Sequence, residues 1–426
     1  MLNLGFLTES VSISGTGSMY PTFPKSEGVT DKIAGSQIVA EPKMKRYPQG
    51  FIILGRPIFS YTLKLGDIVE FENELTHKIS SEKYGSSSGF VKRVIALPGQ
   101  EIELRDGYVY LNGSVMPEGY TAKPRSTYGG EFLSDCQKLK IPDGYVFIMG
   151  DNRKASLDSR FELGLVKISD IHHVISIDNQ DHYKLNWRNT SEDQKFAHTS
   201  TATPESFVQL LNNIRNEKKL TELKLNLLLN KSTSIRGNSI LASDDFSVEA
   251  TRSGMTLASS IRQAGYRNII LSEFFTRGYF EAEELIENLF EFPDAAKVLL
   301  SEEYQDIGLS AVLSEINNCP TQVIVIHFGG YKPPNYQKSD IAGWQMLIDN
   351  LTQIIPSWKQ LIGQTGINQD KLDSLIAILE ERLSQARKIH IRLSQNQWLT
   401  DQETQYLNRD KTLHSEAEKL ITELNY

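Results

Sequence analysis

At 426 residues, with 39% hydrophobic and 23% charged side chains, the chain is long enough for two or three cores and has a soluble globular protein's composition, not a disordered one's. A net charge of −8, with no basic arm or stripe, argues against a general nucleic-acid binder. Cys136 and Cys319 are too few for a disulfide framework and lack the spacing of a zinc site, so they assign no compartment.

The chain starts "MLNLGFLTES", a short apolar run without Lys or Arg that fits neither a secretory signal nor a spanning helix. The longest apolar run elsewhere, "QVIVIHFGG", has the length of a strand, so no membrane anchor is read in the sequence. Next comes "GTGSMYPTFP", residues 15 to 24, in which Gly15 and Gly17 permit close backbone approach and Pro21 and Pro24 stiffen the chain beyond Ser18. Ser18 is thereby held on a shaped edge, as a nucleophile would be; taken alone, the same cluster also describes an ordinary turn.

To about residue 185 the pattern is β-rich. Runs such as "GDIVEF", "GFVKRVIAL" and "GYVFIMG" are punctuated by Gly, Pro and Asp, and "RDGYVYLNGSVM" reads as a hairpin turning at Asn112 and Gly113. A mostly antiparallel β domain is expected over 1–185, then a polar linker over 186–203. From Ser206 the run "SFVQLLNNIRNEKKL" has helical spacing, and "AEELIENLF" and "TQVIVIHFGG" add a helix and a strand. An α/β domain is expected over 204–335. From about Asp340 the chain is helical: Leu372, Leu375, Leu379, Leu383, Ala386, Ile389 and Leu393 recur at steps of three and four, as do Leu413, Ala417, Leu420 and Leu424. Two long helices joined near "SQNQWLTDQ" predict a helical hairpin over 340–426.

A serine hydroxyl needs a base to become a nucleophile. His77, His172, His173 and His182 carry no motif, so a Ser/His/Asp arrangement has no support. A lysine serves if burial drives its ammonium neutral. In "FVKRVIALPG", read as a strand, Lys92 shares a face with Phe90, Val94 and Ala96, and Arg93 falls on the other with Val91, Ile95 and Leu97. An edge lysine reaching to water is the competing reading. The stretch "MGDNRKASLDSRFELG" then packs Asp151, Asn152, Arg153, Ser156, Asp158, Ser159 and Arg160 into ten positions, more polar hardware than a turn needs.

In this order, "GSMYPTF", "LGDIVEF", "VKRVIALPGQ" and "GDNRKASLDSR" resemble the boxes of the signal peptidase I family of serine endopeptidases, over about residues 8 to 178. The resemblance implies Ser18 as nucleophile and Lys92 as general base. It implies that Thr16 and the Ser18 amide line an oxyanion hole, that Ser156 orients the lysine, and that Asp158 and Arg160 brace the loop. The chain departs from the family at Ala96 and Gln100, where Gly and Asp are commoner, and in a longer segment before "LGDIVEF". The family usually carries a spanning helix just before the nucleophile box, which is where this sequence begins.

Residues 204–331 resemble the superfamily of cysteine-rich secretory, antigen 5 and pathogenesis-related proteins, through "LLNNIRNEKKLTELKLNLLLNK", "IRQAGYRN" and "SEFFTRGYFEAEELIENLFEFPDAAKVLLSEEYQDIGLSAV". That pocket usually holds two histidines and acidic residues. Glu273 matches one acid, but Val248 and Ala295 stand at the histidine positions and cannot ligate, so no metal and no cofactor is expected.

The resemblances together imply a Ser–Lys endopeptidase that cleaves signal peptides from exported preproteins after small residues, at a membrane's extracytoplasmic face, without nucleic acid. A relict, non-catalytic scaffold binding partners through the middle domain and helical tail is the alternative. Self-cleaving repressors share the dyad but carry a DNA-binding helical domain before it, and no such domain is read in this sequence.

Overall fold

The computed structural model describes residues 7–27, 31–54, 56–196, 199–267 and 269–424. Most of the N-terminal run "MLNLGFLTES", and Ala197 and His198 of the expected linker, lie outside the described residues. The chain divides into two compact units, Met1–Gly330 and Tyr331–Tyr426.

The β-rich part of the first unit contains a seven-stranded sheet ordered Glu9–Ser10, Lys43–Arg46, Ile171–Ile175, Ile68–Phe71, Phe90–Ala96, Tyr145–Met149 and Val166–Lys167, every neighbour antiparallel. Its middle strands are rich in Val, Ile and Phe and are buried on both faces. Beside it, Ser114–Val115, Tyr108–Leu111, Glu101–Arg105 and Lys138–Lys140 make a second sheet. The expected hairpin is present: Asn112 and Gly113 have φ of 50° and 83°, as a type I′ turn requires, and Tyr110 faces Val115. Asp106 and Gly107 form another turn with φ of 52° and 83°.

Strict alternation does not hold along Phe90–Ala96. Phe90 and Val94 share one apolar cluster, whereas Ile95 and Ala96 both join another. Pairing with Tyr145–Met149 slips between Phe147 and Ile148, and such a bulge turns the strand. Ala96 therefore does not pack with the Phe90 and Val94 face that carries Lys92. A helix over Glu74–Tyr84, which the sequence reading did not pick out, is inserted before this strand; Asn73 and Thr76 form its capping box and Gly85, at φ 83°, ends it.

The α/β part has a sheet ordered Lys224–Leu225, Asp306–Ile316, Cys319–Gly330 and Ile270–Arg277. The helices read at "SFVQLL" and "AEELIENLF" run over Pro204–Glu217 and Ala282–Glu291, and their apolar stripes, with Phe207, Leu211 and Leu285, pack on Ile307, Leu309, Ile324 and Ile326 of the sheet.

The two parts are not strung on a free linker. Trp187 packs edge-on against Tyr120, Arg188 grips Asp193 and donates to the Glu118 carbonyl, and Ala202 is buried in the α/β core. Cys136 and Cys319, read as uninformative, form a disulfide across 183 residues of sequence that ties the two parts. Closing so long a loop removes much entropy from the unfolded chain, about 2–5 kcal/mol. Reduction, or Cys136→Ser, is expected to lower the urea midpoint of this unit; equal midpoints with and without reductant would contradict that.

Among the described residues the second unit holds three helices, not a two-helix hairpin: Lys338–Lys359 precedes Gln369–Ser394 and Asp401–Leu424. The Leu372 to Leu393 stripe is the buried face of the central helix, and Leu351 and Ile355 of the first helix pack with Leu375, Leu379 and Ala417. The extra helix covers a side of the stripe that a hairpin would leave wet. No helix among the described residues is long and apolar enough to cross a membrane.

Candidate active site

Ser18 lies in a tight turn after the short strand Ile13–Ser14. Gly17, at φ 75°, makes the turn possible, and the Tyr20 amide donates back to the Gly17 carbonyl at 3.0 Å. Met19 and Phe23 anchor the turn in a cluster with Ile13, Met44, Ile68 and Ile175, so the hydroxyl one residue before Met19 has a fixed position. Ser18 itself is half-buried.

Lys92 comes from the strand Phe90–Ala96 and is 4% exposed. Its Nζ lies 3.1 Å from Ser18 Oγ and 3.0 Å from the Val91 carbonyl, over the Phe90 ring at 5.2 Å. Burial among apolar neighbours pushes its pKa down to about 8, against the pull of Asp158 and Asp151. The structure thus brings together the two residues that sequence reasoning paired, and the lysine does not reach to water.

The polar loop after Met149 resolves into buried ion pairs. Arg160 grips Asp158 through Nε at 2.8 Å and Nη2 at 3.0 Å, with both side chains fully buried, and donates to the Arg153 carbonyl at 2.8 Å. Burial raises the Asp158 carboxyl, but Arg160 and the Gly150 amide outweigh it and hold it below the usual carboxylate range. Arg153 pairs with Glu118, and Arg93 with Asp151 through Nε at 2.8 Å and Nη2 at 2.7 Å. Sequence reasoning missed Glu118 altogether and did not see Arg93 and Asp151 as partners. The one available signal was an arginine next to Lys92 inside a strand whose other members are apolar.

This loop touches the nucleophile turn directly. The Asn152 amide donates to the Ser18 carbonyl at 3.1 Å. A Cβ at Gly150 would stand 2.3 Å from that carbonyl and 2.2 Å from Ser156 Oγ, so only glycine fits. Ser156 is buried there beside the Asp158 carboxyl, and among the described residues no hydrogen bond joins its hydroxyl to Lys92, whose Nζ is met by Ser18 and the Val91 carbonyl instead. Thr16 lies with Ser18 and Lys92 on a cleft of about 210 Å³, walled by Ile38, Tyr84 and Leu157. A larger hollow of about 820 Å³, lined by Tyr47, Tyr61, His172 and His173, contains none of these groups. The chemistry sits in the smaller one.

In the α/β part, the Glu273 side chain is only 6% exposed and is paired. It accepts from His327 Nε2 at 2.8 Å and from Arg236 Nε at 3.2 Å, and His327 Nδ1 lies 2.7 Å from Ser232 Oγ. Burial, larger than the pull of Glu273, holds the His327 imidazole below its usual range. Glu273 is thus occupied by protein partners. Val248 is 67% exposed and Ala295 is buried. Among the described residues no cluster of His, Cys, Asp or Glu is arranged to hold a metal ion.

Residues 1–177 match the family model described as signal peptidase, peptidase S26. The chain is 40% identical over 80 residues to signal peptidase I of Bacillus licheniformis, an alignment covering 18% of this chain and 43% of that protein. It therefore spans less than half the length of that curated relative. Among solved structures it is similar to a signal peptidase I from Enterococcus faecalis V583, at 27% identity over 27% of this chain and 97% of that one, with a TM-score of 0.21. It is also similar to an extracellular protein containing a SCP domain from Bacillus anthracis str. Ames, at 12% identity over 55% of this chain and 68% of that one, with a TM-score of 0.27.

Proposed function

We propose that the chain is a serine endopeptidase of the signal peptidase type, with Ser18 as nucleophile and Lys92 as general base. The observation that carries this reading is a buried lysine, its pKa down to about 8, with Nζ 3.1 Å from a serine hydroxyl on an open cleft. The match of residues 1–177 to the peptidase family supports the same reaction class.

Neutral Lys92 takes the proton of Ser18 Oγ as the oxygen attacks the scissile carbonyl. The Ser18 amide and the Thr16 hydroxyl face the developing oxyanion. The lysine then passes its proton to the leaving amine and, after the amine departs, activates the water that releases the acyl group. An extended chain lies along the cleft, whose modest volume of about 210 Å³ suits small side chains beside the bond. That suits preproteins cut after small residues of their signal peptides. The Cys136–Cys319 disulfide fits an oxidising, extracytoplasmic location. We assign the α/β half a scaffolding role, since its acid Glu273 is held by Arg236 and His327.

Ser18→Ala tests the reading. The variant is expected to melt as the parent does, to lose cleavage of a preprotein, and to resist a serine-directed acylating probe that labels the parent at Ser18. Cleavage at the parental rate by the alanine variant would sink the assignment.

A further inference from the structure

The α/β half meets the β-rich half at the loop that carries Asp151 to Arg160. Lys154, which the proposed reaction does not use, leaves that loop and donates from Nζ to the carbonyl of Gly278. Its Nζ stands 4.2 Å from the centre of the Tyr279 ring and 4.6 Å from that of Tyr128, a geometry in which both ring faces attract the charge when the amine is protonated.

Both sides of this contact are fixed. Tyr279 lies just past the strand Ile270–Arg277, and its backbone is clamped by the Gln322 side chain, which accepts from its amide at 3.1 Å and donates to its carbonyl. Arg160 ties the far end of the loop to Tyr128, donating to that residue's carbonyl at 3.2 Å. Nearby, Ser126 is hydrogen-bonded to Glu284, and the Arg125 guanidinium lies 3.6 Å from the centre of the Phe280 ring. Two residues before Lys154, the Asn152 amide holds the carbonyl of Ser18.

We propose that Lys154 is a positioning residue: through Gly278 and Tyr279 the α/β half holds the turn at Asn152, and through the Asn152–Ser18 hydrogen bond it sets the nucleophile against Lys92. The proposal rests on the reading of Ser18 and Lys92 as nucleophile and base. It gives the α/β half a part in the reaction without contact with substrate. The expected size comes from geometry, since displacing a reacting group by about 1 Å can cost about a hundredfold in rate and a loosened turn should cost less.

The test compares Lys154→Met, which keeps the length and the contact with the rings, with Lys154→Arg, which keeps charge, donors and stacking. In Lys154→Met, kcat on a peptide substrate and the acylation rate of Ser18 by a serine-directed probe are expected to fall about tenfold, with KM within about twofold. Amide hydrogen exchange should quicken over residues 16–20 and 150–156 while the melting temperature stays near the parent's, and Lys154→Arg should recover most of the rate. Parental kcat and exchange in Lys154→Met, or equal losses in the two variants, would overturn the proposal. If the parent itself is not acylated at Ser18, the active-site reading fails, and exchange still decides the coupling: quickening confined to Lys154→Met supports it, and unchanged exchange overturns it.

Discussion

Lys92→Arg is expected to abolish cleavage as completely as Lys92→Ala, at every pH, although it keeps the charge and most of the volume. The base must be free of its proton to receive that of Ser18, and a guanidinium does not lose its proton in a protein. Lys92 does so near pH 8, so the parent's kcat/KM should rise as pH increases to about 8 and level off above it. Turnover by the arginine variant, or a parental profile flat from about pH 5 to 9, would remove Lys92 from the role. The same shift has a stability consequence. The folded chain releases this proton at about 8 and the unfolded chain near 10.5, so between those values the unfolded state binds more protons and stability rises with pH. Below 8 the full penalty stands, on the order of 3 kcal/mol. Lys92→Met should therefore raise the melting temperature at pH 7 while ending activity, and a lower melting temperature would contradict the account.

Asp151→Ala should be the most damaging single change to the fold around the site. Arg93 and Asp151 are both fully buried, and Arg93 also donates to the Gly66 carbonyl and to Gln180 at 2.7 Å each, so it stays where it is when its carboxylate is gone. An uncompensated buried charge costs about 3–5 kcal/mol. Thr22, whose hydroxyl donates to Asp151, loses its acceptor as well. Because Asn152 is the next residue and holds the Ser18 carbonyl, cleavage should fall with stability. Urea unfolding checks the first effect, and Arg93→Met/Asp151→Ala should recover part of it because no charge is then stranded. A single variant as stable as the parent would show that the pair is not needed.

Features set by neighbours along the chain could be read from the sequence. The Asn112–Gly113 turn was legible because two successive residues must take positive φ there and the dipeptide permits it. The Leu372 to Leu393 stripe was legible because helical spacing puts those side chains on one face whatever covers them. The place of Lys92 between Phe90 and Val94 comes from the two-residue period of a strand, and that of Ser18 from the glycine and prolines around it. Ala96 marks where that logic stops, since the slip between Phe147 and Ile148 belongs to the partner strand.

Everything that depends on a distant partner was decided by the tertiary structure. Nothing near Cys136 points to Cys319, and nothing near Arg153 points to Glu118, since a buried charge is tolerable only once its counter-charge arrives and the fold supplies it. The third helix of the tail, the occupation of Glu273 by Arg236 and His327, and the grip of Gly278 and Tyr279 on Lys154 are of the same kind. Local spacing fixes which face of an element a side chain takes. Which surface meets that face, and so whether a charge is solvated, paired or driven neutral, is settled when the elements pack.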